Sequence, residues 1–108
     1  MSMYMVQFSY TVDAWKSLMK HPEDRSKALD DAAKALGAKF VGLYYCFGDY
    51  DGMVMVEAAD DVTAGSVVLA ALSGGHVKAT KTTKLLSINE AMSMMSKAGS
   101  VVYRAPTG

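Results

Sequence analysis

Large apolar side chains stand at every second position over residues 3–10, and this period of two predicts a strand with two different faces. Thr11 then caps a predicted helix, which is interrupted at His21 because proline disfavours a helical conformation in the residue before it. We expect the helix to restart at Pro22, since proline suits the first helical position, and to end at Gly37. The first third of the chain therefore predicts a strand followed by an interrupted helix.

The middle of the chain predicts a hairpin and a further helix. Residues 39–47 and 51–58 are rich in β-branched and aromatic side chains, and the short link between them favours a hairpin. Asp60 or Asp61 opens the next helix, and Gly74-Gly75 closes it. One apolar side of this helix is predicted to comprise Gly65, Val68, Leu69 and Leu72.

The end of the chain predicts one more strand and one more helix. Threonines favour a strand over residues 76–86. Ser87 and Glu90 have the spacing of a capping box, which predicts the start of a final helix. We therefore expect a single domain over residues 1–99 and a loosely attached arm over residues 100–108.

The order of these elements predicts an α+β fold. Strand, helix, strand, strand, helix, strand is the ferredoxin-like βαββαβ arrangement, here with an extra C-terminal helix. Right-handed crossovers would place the helices on one face of a four-stranded antiparallel sheet. The other face would be bare, yet the strands are apolar on both sides, as where Met53 and Met55 alternate with two valines. We therefore expect a second copy of the chain to cover the bare face, as a homodimer or an assembly of dimers.

Composition and charge disfavour several classes of function. The 108 residues fit one domain, and the 11 basic and 11 acidic side chains cancel, which disfavours nucleic acid as a partner. Cys46 is the single cysteine, so neither an intrachain disulfide nor a multi-cysteine metal site can form within one chain. The start of the chain lacks a basic signal-peptide region, and no run of about 18 apolar residues occurs. We expect a cytoplasmic protein with no membrane partner, no metal and no cofactor.

The predicted hairpin tip, residues 47–52, concentrates groups capable of chemistry. Asp51 and Tyr50 are candidates for acid–base catalysis, because loops held by a rigid scaffold often carry function. The structural alternative is that Gly48 belongs to the turn and that Gly52 permits a close backbone approach. The sequence leaves both interpretations open.

The histidines and the cysteine are the remaining candidates for catalysis. His76 is a candidate base, and either Glu57 or Asp51 would be its partner carboxylate. A solvated position explains both His76 and His21 without any catalytic role. Cys46 has no cation or base beside it in the sequence, so we expect a buried, inert thiol.

Four further residues are candidates for contact with a ligand. Gln7 and Thr82 are polar residues among apolar strand positions, a pattern typical of a mostly apolar cavity with few orienting polar groups. Trp15 and Tyr44 would supply aromatic contact surface. Hydrogen bonds between neighbouring strands are the alternative role for the polar pair.

Taken together, the motifs of this chain resemble the GYD-domain family over residues 4–98. The family signature is similar to residues 47–52, and the resemblance makes Gly48, Tyr50 and Asp51 signature positions. It implies a ferredoxin-like subunit of the dimeric α/β-barrel group, but it supplies no catalytic residues. That wider group includes cofactor-independent monooxygenases, isomerases, haem-degrading enzymes and regulatory ligand-binding domains. Other stretches also resemble the family. They are residue 4, residues 8–11 and residues 14–15 at the start of the chain, and residues 81–86 and 90–91 near its end.

Three functional hypotheses follow. The first is a homo-oligomeric protein that binds a small apolar or aromatic molecule in an apolar cavity at the sheet surface. The second is a cofactor-independent enzyme of the monooxygenase or isomerase kind, in which His76, Asp51 or Tyr50 transfers the proton. The third is a structural assembly module whose signature fixes the hairpin and a subunit contact. Fold alone does not choose among them.

Overall fold

The structure, a computed structural model, describes residues 1–107. Four strands form one antiparallel sheet in the order β2-β3-β1-β4, which is the ferredoxin-like arrangement, and the predicted α+β fold class is confirmed. The elements are β1 (Ser2–Tyr10), α1 (Val12–Lys20), α2 (Ser26–Ala35), β2 (Lys39–Tyr45), β3 (Gly52–Ala58), α3 (Asp61–Ser73), β4 (Val77–Leu85) and α4 (Ile88–Gly99).

The core lies between the sheet and the helices on one of its faces. Tyr4 and Phe8 of β1 and Val54 and Val56 of β3 are buried, and they occupy alternate positions of paired strands. α2 packs on β2, and α3 packs on β3 and β4. The period of two therefore gives the sheet one face that is covered by helices and one that is not.

The interrupted helix is resolved into two separate helices. Thr11 caps α1 as predicted, since its hydroxyl accepts a hydrogen bond from the Ala14 amide at 3.1 Å. The predicted restart at Pro22 is wrong, because α2 begins at Ser26. The Asp24 carboxylate accepts a hydrogen bond from the Ser26 amide at 2.9 Å, and this bond satisfies the first donor of the helix at that point.

The buried side of α3 differs from the predicted one. Ala64 and Val67 are buried, whereas Leu69 is 67% exposed. α3 is apolar around most of its circumference, so the spacing of its apolar residues could not identify the side that meets the sheet. Its start is as predicted, because Asp60 accepts a hydrogen bond from the Thr63 amide at 2.8 Å.

The predicted final helix, α4, forms but does not join the core. The capping box is complete, with the Ser87 hydroxyl and the Glu90 carboxylate each accepting a hydrogen bond from the other residue's amide. No residue of α4 is buried, and its apolar side chains Ile88, Met92 and Met95 are exposed. The radius of gyration is 17.8 Å, against about 13 Å for a compact domain of 100 residues. α4 therefore extends away from the body of the protein.

We call the uncovered side of the sheet the open face. The strand register places Met5 beside Met55 and Tyr44 beside Met53 on this face. These methionines are half-buried, and Tyr44 is exposed. The expected bare apolar face is therefore present, while its burial against a second copy stays a prediction.

Two further expectations concern the whole chain. No helix within residues 1–107 is long and apolar enough to cross a membrane. Residues 101–107 form neither helix nor strand and are exposed, and Gly108, the end of the predicted arm, lies outside the described residues. The division of the chain into a domain and an arm stays a prediction.

Candidate functional site

A cavity of about 240 Å³ lies between the sheet, α2 and α3 on the helix-covered face. Its wall is mostly apolar, which suits a small ligand with a hydrophobic body. The lining residues are Val6, Phe8 and Tyr10 of β1, Arg25 before α2, Ala28, Leu29 and Ala32 of α2, Val54 and Val56 of β3, Val67, Val68, Ala70 and Ala71 of α3, Gly74 and His76 after it, and Val77 and Thr80 of β4.

The burial of the lining residues distinguishes a floor from a mouth. Phe8 and Val56 are buried and form part of the floor on the sheet. Ala28, Gly74 and His76 are exposed, so the cavity opens between the start of α2 and the end of α3. A ligand would therefore enter near His76 and place its far end against the sheet.

Small side chains create this space. Ala28 and Ala32 lie one turn apart on α2, and Ala70 and Ala71 lie on α3. A methyl group reaches less far than the side chains that normally fill the gap between a helix and a sheet, so a void remains. The same alanines in the sequence were a signal for a cavity, but they are equally typical of ordinary helices.

Three polar residues line the otherwise apolar wall: Arg25, His76 and Thr80. Arg25 is half-buried, and its Nη1 donates to the Glu23 carboxylate at 3.3 Å. The main-chain carbonyl of His76 accepts a hydrogen bond from the Thr11 amide at 2.8 Å, which fixes the entry to β4 against the end of β1. The mouth therefore carries one permanent positive charge and one imidazole.

Beside the cavity, four residues form a compact cluster that we call the Asp51 corner: Tyr10, Trp15, Tyr45 and Asp51. One carboxylate oxygen of Asp51 accepts hydrogen bonds from the Tyr10 amide at 2.9 Å and from the Trp15 indole at 3.1 Å. The Asp51 amide donates to the Phe8 carbonyl at 2.8 Å. Asp51 thus ties the hairpin to the end of β1 and to α1.

Aromatic contacts complete the Asp51 corner. The Tyr10 and Tyr45 hydroxyls lie 3.0 Å apart, and the Trp15 ring meets the Tyr10 ring edge-on at 5.1 Å. Burial, followed by the hydrogen bond to Tyr45, raises the pKa of the Tyr10 phenol, and the positive charge of Arg25 opposes that rise. Tyr10 also lines the cavity, so it separates the two regions.

Two glycines of the hairpin have structural reasons for their identity. Gly48 has φ of +126°, a conformation that side chains rarely adopt. A Cβ atom at Gly52 would lie 2.6 Å from Cζ of Phe8 and 2.7 Å from the carbonyl oxygen of Tyr44. The predicted close approach at Gly52 is therefore confirmed.

The structure separates the three candidate catalytic residues. His76 lines the cavity, whereas Asp51 accepts its hydrogen bonds in the Asp51 corner. Tyr50 is half-buried in the link between β2 and β3. Glu57 lies on the open face beside Met3, so neither suggested partner carboxylate shares the cavity with His76. The catalytic roles stay predictions.

The candidate ligand contacts are also dispersed. Gln7 and Tyr44 lie on the open face. Thr82 lies on the helix-covered side beside Val6, but it is exposed and does not line the cavity. Trp15 lies in the Asp51 corner, one ring away from the wall at Tyr10. Thr80, which shares a side of β4 with Thr82, does line the cavity, and so does Arg25, which was missed as a candidate.

The prediction for Cys46 has an outcome. Cys46 is exposed rather than buried, and its thiol donates to the Tyr50 carbonyl at 3.3 Å. The expected burial was wrong because β2 ends at Tyr45, so Cys46 belongs to the link and not to the strand. Within residues 1–107, no three side chains of His, Cys, Asp or Glu are grouped as a metal site would require.

A separate polar cluster fastens the start of α3, at the opposite end of that helix from the cavity mouth. The Tyr4 hydroxyl donates to the Asp61 carboxylate at 2.5 Å, and Lys84 Nζ lies 3.3 Å from the same oxygen. The hydrogen bond to Asp61, together with burial, raises the pKa of Tyr4 to about 12. The same bond, with the charge of Lys84, lowers the pKa of Asp61.

The fold and the cavity together define a small ferredoxin-like α+β protein with an apolar cavity between its sheet and its helices. The family model described as the GYD domain matches residues 4–95. The chain belongs to the GYD domain family.

Comparison with individual proteins agrees with this family and fold. A relative from Thermus thermophilus, the "Glutamine synthetase and cystathionine beta-lyase binding protein", is 31% identical over 78 residues, which are 72% of this chain and 82% of the relative. A crystal structure of a Thermus thermophilus protein matches with a TM-score of 0.54 and 23% identity, covering 81% of this chain and 95% of that one. A transcriptional regulator from Neisseria meningitidis, solved in complex with L-Met, matches with a TM-score of 0.54 and 17% identity, covering 81% of this chain and 51% of the regulator. At these identities the two structures show the fold alone.

Proposed function

We propose that the protein binds a small, largely apolar molecule in the cavity between the sheet, α2 and α3. The observation that carries the proposal is a cavity of about 240 Å³ with a mostly apolar wall and a mouth at His76. Dry apolar cavities of about 150 Å³ bind benzene. The space here is larger, so it suits a single ring with substituents or a chain of medium length.

A matched pair of variants tests the proposal with 1-octanol as the probe. Ala32→Leu places a larger side chain in the cavity, while Ala35→Leu makes the same change at an exposed position of α2 that does not line it. Trp15 is the only tryptophan and lies one ring from the wall, so its fluorescence reports on occupancy beside calorimetry. We expect Ala32→Leu to weaken binding of 1-octanol by at least about tenfold, since it removes contact for several methylene groups. Ala35→Leu should bind as the parent protein does.

Two results would contradict ligand binding in this cavity. The first is a parent protein that shows no heat and no fluorescence change with 1-octanol up to its solubility limit. The second is equal binding by both leucine variants, which would place the probe elsewhere, such as on the open face.

We further propose that two copies of the chain pack through their open faces. The four strands present roughly 500 Å² on each copy, from a strand length of about 30 Å and a spacing of about 4.8 Å. Two such faces bury about 1,000 Å², which is about the minimum expected of a biological interface, before α4 is counted. Lys39 and Glu57 are paired on this face, so it has opposite charges at its edge rather than a repelling surplus.

Light scattering after gel filtration tests the dimer. We expect a dimer for the parent protein and a monomer for Met55→Glu, because a two-fold axis would bring two carboxylates into the apolar interface. Asp49→Glu is a control at the exposed hairpin tip. A parent protein that stays monomeric at micromolar concentration would contradict this proposal.

A second candidate function is binding of another protein through α4. The observation that favours it is the exposed apolar side of α4, with Ile88, Met92 and Met95. The name of the 31% identical relative states that it binds glutamine synthetase and cystathionine beta-lyase. Purified samples of these two enzymes from the host are the probes for calorimetry. We expect Met95→Glu to abolish binding and Ser93→Glu to leave it unchanged, and an equal effect of both would exclude the apolar side of α4.

A further inference from the structure

The cavity mouth has an asymmetric charge. Among its lining residues, all within 1–107, Arg25 is the one permanently charged side chain, and no carboxylate is present. An arginine remains protonated throughout the working pH range. The wall therefore combines a long apolar surface with a single positive charge near the solvent.

The Arg25 guanidinium can donate several hydrogen bonds to a ligand. Its guanidinium carries five N–H groups, and one of them is engaged with Glu23, from Nη1 to Oε1 at 3.3 Å. Its side chain is 36% exposed, so solvent reaches it at the mouth. Arg25 and Tyr10 both line the cavity, so the positive charge belongs to its wall.

The ion pair with Glu23 is easily exchanged. Glu23 is two residues away in the non-helical link between α1 and α2, and its side chain is 58% exposed. Exposed pairs of this kind contribute little, because water and salt screen them. A ligand carboxylate could therefore replace Glu23 and form the bidentate contact that a guanidinium favours.

From this geometry we infer that the ligand of the cavity is a monocarboxylate with an apolar body, and that Arg25 binds its carboxylate in competition with Glu23. The inference rests on the proposed function and specifies its ligand class. A single guanidinium balances one negative charge, which favours a carboxylate over a doubly charged phosphate. The hydrocarbon part then lies over the buried residues of the sheet, away from Arg25.

Octanoate and 1-octanol test this inference, since they share an apolar chain and differ in the charge of the head group. Arg25→Gln removes the guanidinium and keeps a polar side chain of similar reach. Arg104→Gln is the matched control, because it changes the net charge equally at the other arginine of the chain, which is exposed. We expect Arg25→Gln to weaken the binding of octanoate about tenfold, as loss of a charge-assisted hydrogen bond does. The affinity for 1-octanol should stay within about twofold of that of the parent protein.

Glu23→Gln should change the affinity for octanoate in the opposite direction. Removing the competing carboxylate should increase the affinity for octanoate by about two- to threefold, a change typical of an exposed ion pair. The affinity for 1-octanol should not change. Arg25 would then have no internal anion to release before it binds the probe.

The outcomes separate this inference from the proposed function. If both probes bind, Ala32→Leu weakens both and Arg25→Gln weakens neither, the cavity binds ligands but the carboxylate assignment is wrong. If Arg25→Gln and Arg104→Gln lose the same affinity for octanoate, Arg25 acts only through the overall charge of the protein. That result would also overturn the assignment. Absence of binding by either probe to the parent protein would contradict the proposed function itself.

Discussion

The Asp51 corner and the cavity adjoin each other and share Tyr10, but they are built in opposite ways. In the corner, one carboxylate oxygen accepts two hydrogen bonds, and three aromatic rings lie within 6.2 Å of one another between centroids. In the cavity, alanines face valines across about 240 Å³ of space. The Asp51 corner has large side chains with fixed hydrogen-bond partners, whereas the cavity has small side chains that leave room for a ligand.

This difference separates the family signature from the site that we propose. Asp51, Gly48 and Gly52 each have a structural reason for their identity: two hydrogen bonds, a positive φ and a close contact with Phe8. The polar residues at the cavity mouth lie outside the hairpin. A signature can therefore report how a scaffold is fastened, while the proposed ligand site is the adjacent cavity.

The largest expected effect comes from adding a side chain at Gly52, the residue after Asp51. Gly52→Ala should lower the free energy of unfolding by about 2–4 kcal/mol, because a Cβ at that position would overlap the Phe8 ring and the Tyr44 carbonyl. Gly65→Ala is the matched control in α3, where a Cβ meets no atom within 4 Å. It should raise stability by about 0.5–1 kcal/mol, since alanine favours helix over glycine. Urea unfolding measures both, and equal effects would refute the assigned close contact.

Removing the carboxylate of Asp51 should have the next largest effect. Asp51→Ala leaves the Tyr10 amide and the Trp15 indole without their acceptor, so we expect a loss of about 2–3 kcal/mol in urea unfolding. Asp51→Asn should lose less, because a neutral acceptor still forms weaker bonds. Asp49→Ala, in the same hairpin but exposed, should change stability by less than about 0.5 kcal/mol. A fully stable Asp51→Ala protein with no ligand binding would instead assign Asp51 to the site.

Filling the cavity should have a smaller effect, of opposite sign. Ala32→Leu should raise the free energy of unfolding by about 0.5–1 kcal/mol, because added methylene groups occupy existing space. Ala35→Leu should stay within about 0.5 kcal/mol of the parent protein. Thermal unfolding without ligand measures this difference. Clear destabilisation by Ala32→Leu would mean that the cavity is filled in solution by a rearrangement of its wall.

The smallest effect concerns the far end of α3 and depends on pH. The pKa of Asp61 is lowered in the folded protein, so Asp61 contributes stability above its unfolded pKa near 4 and loses that contribution as the pH falls further. The pKa of Tyr4 is raised to about 12. Its contribution is complete below its unfolded pKa near 10 and is lost as the pH rises through 12.

Melting temperatures of the parent protein, Asp61→Asn and Tyr4→Phe across the pH range test these two signs. Asp61→Asn should show a shallower fall in melting temperature below about pH 4, and Tyr4→Phe a shallower fall above about pH 10. Neither variant should change 1-octanol binding, because neither residue lines the cavity. Unchanged slopes in both variants would show that this cluster does not link folding to pH.

Sequence reasoning predicted the local signals of the fold well and the site poorly. The caps at Thr11, Asp60 and Ser87 and the hairpin follow from interactions between residues close in the chain. The start of α2 was misplaced because both Pro22 and Asp24 are compatible with a helix start, and the Asp24 carboxylate engages the Ser26 amide. Of the candidate site residues, His76 alone lines the cavity.

The sequence predicted an apolar cavity at the sheet, but it did not predict that the cavity lies beneath α2 and α3, for a physical reason. Its walls come from elements on both sides of the hairpin, and Arg25 and Thr80 are brought together only when α2 and β4 pack on the same face of the sheet. An alanine in a helix has the same appearance in sequence whether it closes a tight contact or leaves a gap. The Asp51 corner depends likewise on contacts separated by 36 and 41 residues.

The sequence by itself determined the order of the elements, the N-terminal caps of α1, α3 and α4, and the apolar character of both sheet faces, because these depend on short-range hydrogen bonding and on the periods of helix and strand. Tertiary structure decided which side of α3 is buried, that α4 stands apart, and that Asp51 fastens a corner rather than lining a cavity. The space between α2, α3 and the sheet also arose only there, since a void is a property of how side chains meet and of no single residue.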